Sequence, residues 1–211
     1  MANVHLRIPL FPLNVVLFPA IPLPLHIFEP RYKLMIGKAV EQDAPFGVVR
    51  AQDDGIFRVG CTASVVRIVK TYEDGRMDIV AMGQKPFRIQ EVHQEKSYLE
   101  ATVDLLADDA QPGPAKVTGE LRSLFEECYR LVHGEAAETS AMPDDDPERP
   151  FAYQLASELP LEADALQQLL ELRAESERRS RLAEQLKELL PQLVRISHLR
   201  DKTAGNGHGL N

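Results

Sequence analysis

Proline recurs at positions 9, 12, 19, 22, 24 and 30, and no other feature restricts the fold of this chain as strongly. Proline lacks a backbone N–H and holds φ near about −65°, so this stretch must run extended. It cannot lie in the middle of a sheet with every donor paired. The intervening residues are largely apolar, from Ile8 and Leu10 through Leu17 and Phe18 to Ile27 and Phe28. They form either the seam of a barrel or a sheet edge.

The region around this segment, residues 4 to 106, reads mostly as strand, because runs rich in Val and Ile are separated by turn signals at short intervals. Cys61 to Tyr72 is the clearest run. Asp74-Gly75 after it is a hairpin signal because both residues tolerate positive φ, and Met77 to Met82 is the expected returning strand. Phe87, Ile89, Leu99, Ala101, Val103 and Leu105 alternate with polar residues, giving strands with one wet face. Strands this numerous in so short a stretch point to a closed or half-closed barrel. One helix is expected inside it, over a barrel mouth: Pro30 is preorganised for a first helical position, and Tyr32, Met35, Ile36, Ala39 and Val40 follow at helical spacing.

From Ala115 the period changes. Val117, Leu121, Leu124, Phe125, Cys128, Leu131 and Val132 form a helical stripe whose expected partner is the barrel. Glu135 to Arg149, with three consecutive aspartates at 144 to 146, is too polar to pack and reads as a surface loop. Leu182, Leu186, Leu189, Leu193 and Ile196 make a narrow seam on a last helix, packed on its own domain and bent at Pro191. The expected division is residues 1–110, β-rich, then 111–202, helical, then a flexible tail from 203 to 211.

Charge and motifs exclude several kinds of chemistry. The chain carries 24 Lys and Arg against 32 Asp and Glu, and the excess acid repels phosphate backbones. Most of it lies in the helical half, where 12 basic and 18 acidic residues follow residue 110, against 12 and 14 before it. Arg173, Arg178, Arg179 and Arg181 interleave with Glu171, Glu175, Glu177 and Glu184, and this pattern reads as a solvated, ion-paired helix face. No phosphate loop, H-E-x-x-H pair or G-x-S-x-G elbow occurs, and Ser64 falls in an apolar strand run where burial is expected. The six histidines have no metal-ligand spacing, so neither a metal nor another cofactor is expected. Cys61 and Cys128 read as buried, reduced thiols. Every apolar run is broken well short of the roughly 18 residues that span a bilayer, and no basic stretch with an apolar h-region precedes Pro9, so the expected location is cytoplasmic, away from membranes.

Several motifs in order carry a resemblance. Ile8-Pro9-Leu10-Phe11-Pro12-Leu13-Asn14-Val15-Val16-Leu17-Phe18-Pro19 and Leu23-Pro24-Leu25-His26-Ile27-Phe28-Glu29-Pro30-Arg31-Tyr32 resemble the opening of the Lon protease N-terminal domain family, in its stand-alone form. Phe46-Gly47-Val48-Val49, Val59-Gly60-Cys61-Thr62-Ala63, Asp74-Gly75-Arg76 and Gly83-Gln84-Lys85-Pro86-Phe87-Arg88-Ile89 are similar to its later strands and hairpin. Pro160-Leu161 and Gln167-Gln168-Leu169-Leu170-Glu171 look like its helical part. Two departures stand out. Ala20 replaces the glycine often found after Phe-Pro, which argues against a positive φ there. Pro191 and the glycine-containing tail fall where a full-length protease would continue a helix toward its ATPase.

The resemblance implies an α+β fold, a β-rich PUA-like pseudo-barrel followed by a C-terminal helical subdomain. It implies a non-catalytic module that holds unfolded or exposed polypeptide segments, as an adaptor for a protease or chaperone. The candidate peptide-binding residues are Phe18, Phe28, Glu29, Arg31 and Tyr32. At the helix start, two roles are open. Either Glu29 caps the helix, Tyr32 packs into the barrel and Arg31 pairs with a carboxylate, or Arg31 and Tyr32 form one wall of a peptide groove. The competing readings are RNA binding by the barrel, opposed by the acidic balance, the absence of Trp and an aromatic content of 6%, and a small-molecule pocket with convergent polar groups.

Overall fold

In a computed structural model the described residues are 5–53, 55–134, 142–143 and 150–205, with no side chains described from 200 onward. The expected loop Glu135–Arg149 therefore lies outside the described residues, apart from Met142 and Pro143, as do the last residues of the expected tail. The chain divides into two compact units, Met1–Asp108 with Leu166–Arg173, and Asp109–Ala165 with Ala174–Asn211.

The first unit is built on β1 (Leu6–Leu13), β2 (Pro22–Ile27), α1 (Pro30–Glu41), β3 (Phe46–Gln52), β4 (Gly55–Ile56), β5 (Val59–Thr71), β6 (Met77–His93) and β7 (Glu100–Leu105). Five strands close a ring in the order β1-β7-β6-β5-β3, returning to β1 through a parallel pairing of β1 with β3. This is the pseudo-barrel. The prolines of β1 fit because the strand is a seam: Leu6–Pro9 pair with β7, and Leu10–Leu13 pair with β3. Each half is paired mainly on one side, so a missing N–H leaves few ladder positions empty. Alternate residues of β1, β3, β6 and β7 point inward, and Ile8, Leu10, Val49, Phe87, Ile89, Ala101 and Val103 form the ring's core.

Glycine is required where β5 crosses β3. A Cβ on Gly60 would enter the Val48 carbonyl oxygen and stand 2.6 Å from Val49 Cγ1 and 2.8 Å from Phe87 Cζ. Pro86 is accommodated beside an irregularity in the β5–β6 register between Cys61 and Ala63. There the Thr62 hydroxyl accepts from the Lys85 N–H at 3.1 Å, replacing a ladder bond. The strands expected at Met77–Met82 and around Phe87 are thus one continuous strand of 17 residues.

The N-terminal half of β6 leaves the ring as the centre of a three-stranded arm, with β2 on one side and the far half of β5 on the other. On α1, Tyr32, Met35, Ile36 and Ala39 are buried as their spacing predicts, but Val40 is exposed. Phe11 of β1 meets Tyr32 with ring centroids 4.2 Å apart, which fastens this helix to the strand. Leu169 and Leu170 are also buried, and Gln167 Nε2 donates to the Val59 carbonyl at 3.1 Å.

The second unit contains α2 (Ala115–His133), α3 (Phe151–Ser157) and α5 (Glu175–Gly205); the chain passes between the units within α4 (Ala163–Glu171). The α2 stripe buries Leu121, Phe125 and Cys128, and its partner within this unit is α5, with Cys128 Sγ 4.0 Å from the Leu186 carbonyl. The expectation names the barrel as the partner of this stripe; the partner inside its own unit is α5. Leu182, Leu186 and Leu193 of the α5 seam are buried, whereas Ile196 is exposed. The helix runs on past Pro191 to Gly205, into the stretch read from sequence as tail.

A larger correction concerns the arginine-rich face. Arg178, Arg179 and Glu175 are buried, not solvated. Glu175 accepts from Arg178 Nε at 2.9 Å, from Arg179 Nε at 3.0 Å and from the Ala152 N–H at 2.9 Å, so its charge is satisfied and it also caps α3 from outside. The guanidinium of Arg178 lies 4.5 Å from the Tyr153 ring centre and that of Arg179 lies 4.9 Å from Phe151. Aromatic faces and a shared carboxylate compensate the desolvation that charge alternation alone left unexplained. Arg181 with Glu184 is the exposed pair the sequence pattern anticipates.

Candidate functional site

The candidate residues fall on both sides of the protein surface. Phe18 is 2% exposed and Tyr32 7%, so both belong to the core, whereas Phe28 is 58% exposed on the link between β2 and α1. Tyr32 is fixed against Phe11, and burial pushes its hydroxyl pKa up. Phe18 supplies the turn that enters the arm: the Ala20 N–H donates to Gly83 O at 2.9 Å, and the Gly83 N–H to Ile21 O at 3.1 Å. Contrary to the sequence expectation, Ala20 adopts a positive φ of 59°. The two bonds to Gly83 hold it in a conformation that glycine adopts without cost.

Glu29 occupies the N-cap position of α1, and its carbonyl accepts from the Tyr32 and Lys33 N–H groups at 3.0 and 2.9 Å. Its side chain makes no cap bond; the carboxylate takes Arg31 Nε at 2.8 Å instead. The capping role expected of the carboxylate is therefore corrected to a local ion pair. Arg31 also lies 4.6 Å over the Tyr32 ring, so Glu29, Arg31 and the outer edge of Tyr32 form one ledge beside Phe28.

Next to this ledge is a cluster that the sequence reading passed over. His26 stacks on Phe28 with centroids 5.9 Å apart and meets Tyr72 edge-on at 5.9 Å. Its Nδ1 is 2.6 Å from Asp78 Oδ1, and the Tyr72 hydroxyl donates to Asp78 Oδ2 at 2.8 Å. The His26 contact, with the Tyr72 bond behind it, holds the Asp78 carboxyl below its ordinary range. Lys70 and Arg76 both approach the Tyr72 ring, at 4.4 and 4.9 Å. These residues are far apart in sequence and meet only because β2 pairs with β6 with His26 opposite Asp78, and β5 pairs with β6 with Lys70 opposite Asp78. Register, not spacing, assembles them.

Cys61 and Cys128 are free and buried, and burial pushes their pKa values up to about 12 and about 11. Ser64 is half-buried, not buried as expected, and accepts from Gln84 Nε2 at 3.0 Å. Among the described residues no three His, Cys, Asp or Glu side chains are grouped to hold a metal ion, and no helix is long and apolar enough to cross a membrane.

Residues 7–188 match the model of the family described as the ATP-dependent protease La (LON) substrate-binding domain. The chain is 30% identical to the Lon protease of Parabacteroides distasonis over 127 residues, 56% of this chain and 15% of that protein. It is 31% identical to Lon protease 2 of Myxococcus xanthus over 137 residues, 59% of this chain and 16% of that protein. These relatives are thus matched over only about a sixth of their length. In fold, the chain is similar to the Lon N-terminal domain protein from Xanthomonas campestris, with a TM-score of 0.67, 22% identity, and coverage of 84% of this chain and 96% of that one. It is also similar to the N-terminal domain of the Mycobacterium avium complex Lon protease, with a TM-score of 0.63, 14% identity, and coverage of 86% and 98%.

Proposed function

Because the chain belongs to the family of LON substrate-binding domains, we propose that it is a non-catalytic module that binds unfolded or exposed polypeptide segments in the cytoplasm and presents them to a protease or chaperone. The observation that carries this reading is the ledge on the first unit. Phe28 stands 58% exposed on a short link between a paired strand and a helix, with Glu29 and Arg31 held against each other at its side. An aromatic ring that is exposed yet fixed loses little conformational entropy on binding, which is the usual property of an interface anchor. Of the five candidate residues, Phe28, Glu29 and Arg31 make the contacting surface in this reading, Tyr32 holds it against Phe11, and Phe18 belongs to the turn at Gly83.

The test uses the full chain and a fluorescent, permanently unfolded protein, reduced and carboxymethylated α-lactalbumin. Anisotropy should show saturable binding, and Phe28→Ala should weaken it by about 10-fold, the cost of a central aromatic anchor. Arg31→Ala separates scaffold from surface. The Glu29–Arg31 pair is exposed, so its loss should change stability by less than about 1 kcal/mol while binding per folded molecule falls. A large fall in melting temperature with unaltered binding would make Arg31 a scaffold residue, and no binding by the wild type would remove the proposal.

A further inference from the structure

Beyond Ala63, β5 parts from β3 and is paired only with β6, so from Val65 to Thr71 it runs as an edge strand among the described residues. All residues from Val66 to Thr71 are exposed, with Val66 at 54% and Val69 at 58%. Register shifts between Val65 and Arg67 and between Ile68 and Lys70 leave these two valines without an opposite residue on β6. The other edge of the arm, β2, is blunted by Pro22 and Pro24, which have no N–H to offer. An open edge, though interrupted at these two bulges, still presents backbone donors and acceptors between them, and these are matched by one kind of ligand, another extended chain.

Charge decides which chain. β5 carries Arg67 and Lys70 and no carboxylate, in a protein whose formal net charge is −8. Lys70 lies over the Tyr72 ring and stands opposite Asp78 of β6, so the cation of this edge that faces no carboxylate among the described residues is Arg67. A second copy of the same edge would bring cation against cation, which disfavours self-pairing. A strand with acidic residues flanking β-branched ones meets complementary charge and apolar surface together. We propose that the outer edge of β5 from Val65 to Thr71 is a docking strand for acidic, extended polypeptide segments, which add to the β2–β6–β5 arm by backbone pairing. This inference rests on the polypeptide-binding reading and specifies how and where a segment is held.

The experiment measures binding of two labelled ten-residue peptides, one alternating Val and Thr with Asp and one in which every Asp is Lys, to the full chain and to the double variant Arg67→Glu, Lys70→Glu. The acidic peptide should bind the wild type about 10-fold more tightly than the basic one, and the double variant should reverse that order. Backbone pairing is read separately, by amide hydrogen exchange: bound peptide should slow exchange in Val65–Thr71 in the wild type. If the peptides and unfolded α-lactalbumin bind but the double variant changes nothing and β5 exchange is unaltered, the docking strand is overturned and the ledge reading stands. If neither peptide nor α-lactalbumin binds, both readings fall. Protection that appears with rising protein concentration and no peptide would assign the edge to a second copy and overturn the proposal.

Discussion

Ala20 sits at φ 59°, where an L-residue pays for the approach of its Cβ to the backbone, and its bond to Gly83, the reciprocal bond from Gly83 to Ile21 and the Ile21 N–H bond to the Phe18 carbonyl hold it there. Ala20→Gly should therefore stabilise the protein by about 0.5–1 kcal/mol in urea denaturation. The converse change, Gly83→Ala, forces a methyl into the Phe18 carbonyl and within 3.2 Å of Leu17 Cγ, and should cost more than about 2 kcal/mol. Gly83 was legible as part of a motif, but its reason was not, because the atom it avoids belongs to a turn more than sixty residues earlier. Cys61 illustrates a pH effect of known sign. Its folded pKa of about 12 exceeds the ordinary thiol value near 8.5, so the neutral buried thiol stabilises fully below about 8.5 and that contribution is lost as pH rises toward 12. Iodoacetamide at pH 8 should leave Cys61 unmodified in the native protein and alkylate it in urea, as mass spectrometry of the peptide will show.

Among the elements, α5 departs furthest from its sequence pattern. Alternating Glu and Arg on a helix ordinarily means a wet face. Here Phe151 and Tyr153 of α3 cover Arg179 and Arg178, and Glu175 joins both arginines to the start of α3. Nothing in the local sequence of α5 reports those rings. Removing the carboxylate leaves buried cations with one partner fewer, so Glu175→Ala should cost about 3–5 kcal/mol and Glu175→Gln somewhat less, whereas Glu184→Ala, on the exposed pair, should cost below about 1 kcal/mol. Chemical denaturation of the three variants checks the ordering. The strands fared differently. The Asp74-Gly75 hairpin and the run from Cys61 to Tyr72 were readable because turn chemistry and β-branched runs are local signals. The aromatic cluster at His26 was not, since it depends on a pairing between β2 and β6 fixed by the whole ring.

At the scale of the molecule, the division at residue 110 is read from the change of hydrophobic period, and the compact unit built on the strands also takes in Leu166–Arg173, which supplies the Gln167 bond to Val59. A fragment ending at Asp109 should aggregate, and joining residues 163–175 to it by a flexible Gly/Ser linker should restore a cooperative thermal transition; a well-behaved fragment without that segment would refute the assignment. Composition could not reveal the excursion, because Gln167 and the buried Leu169 and Leu170 sit in an ordinary amphipathic helix. The pairing of β1 has a consequence in time. Leu10 waits for Gly47, and Leu6 waits for Val103, before the ring can close. At ribosomal rates of about 5–20 residues per second, the first strand remains without its last neighbour for roughly 5–20 s. Pro9 and Pro12 strip donors from it throughout that interval, so the same residues that fit the finished seam make the nascent strand a poor template for pairing with a neighbouring chain on the polysome.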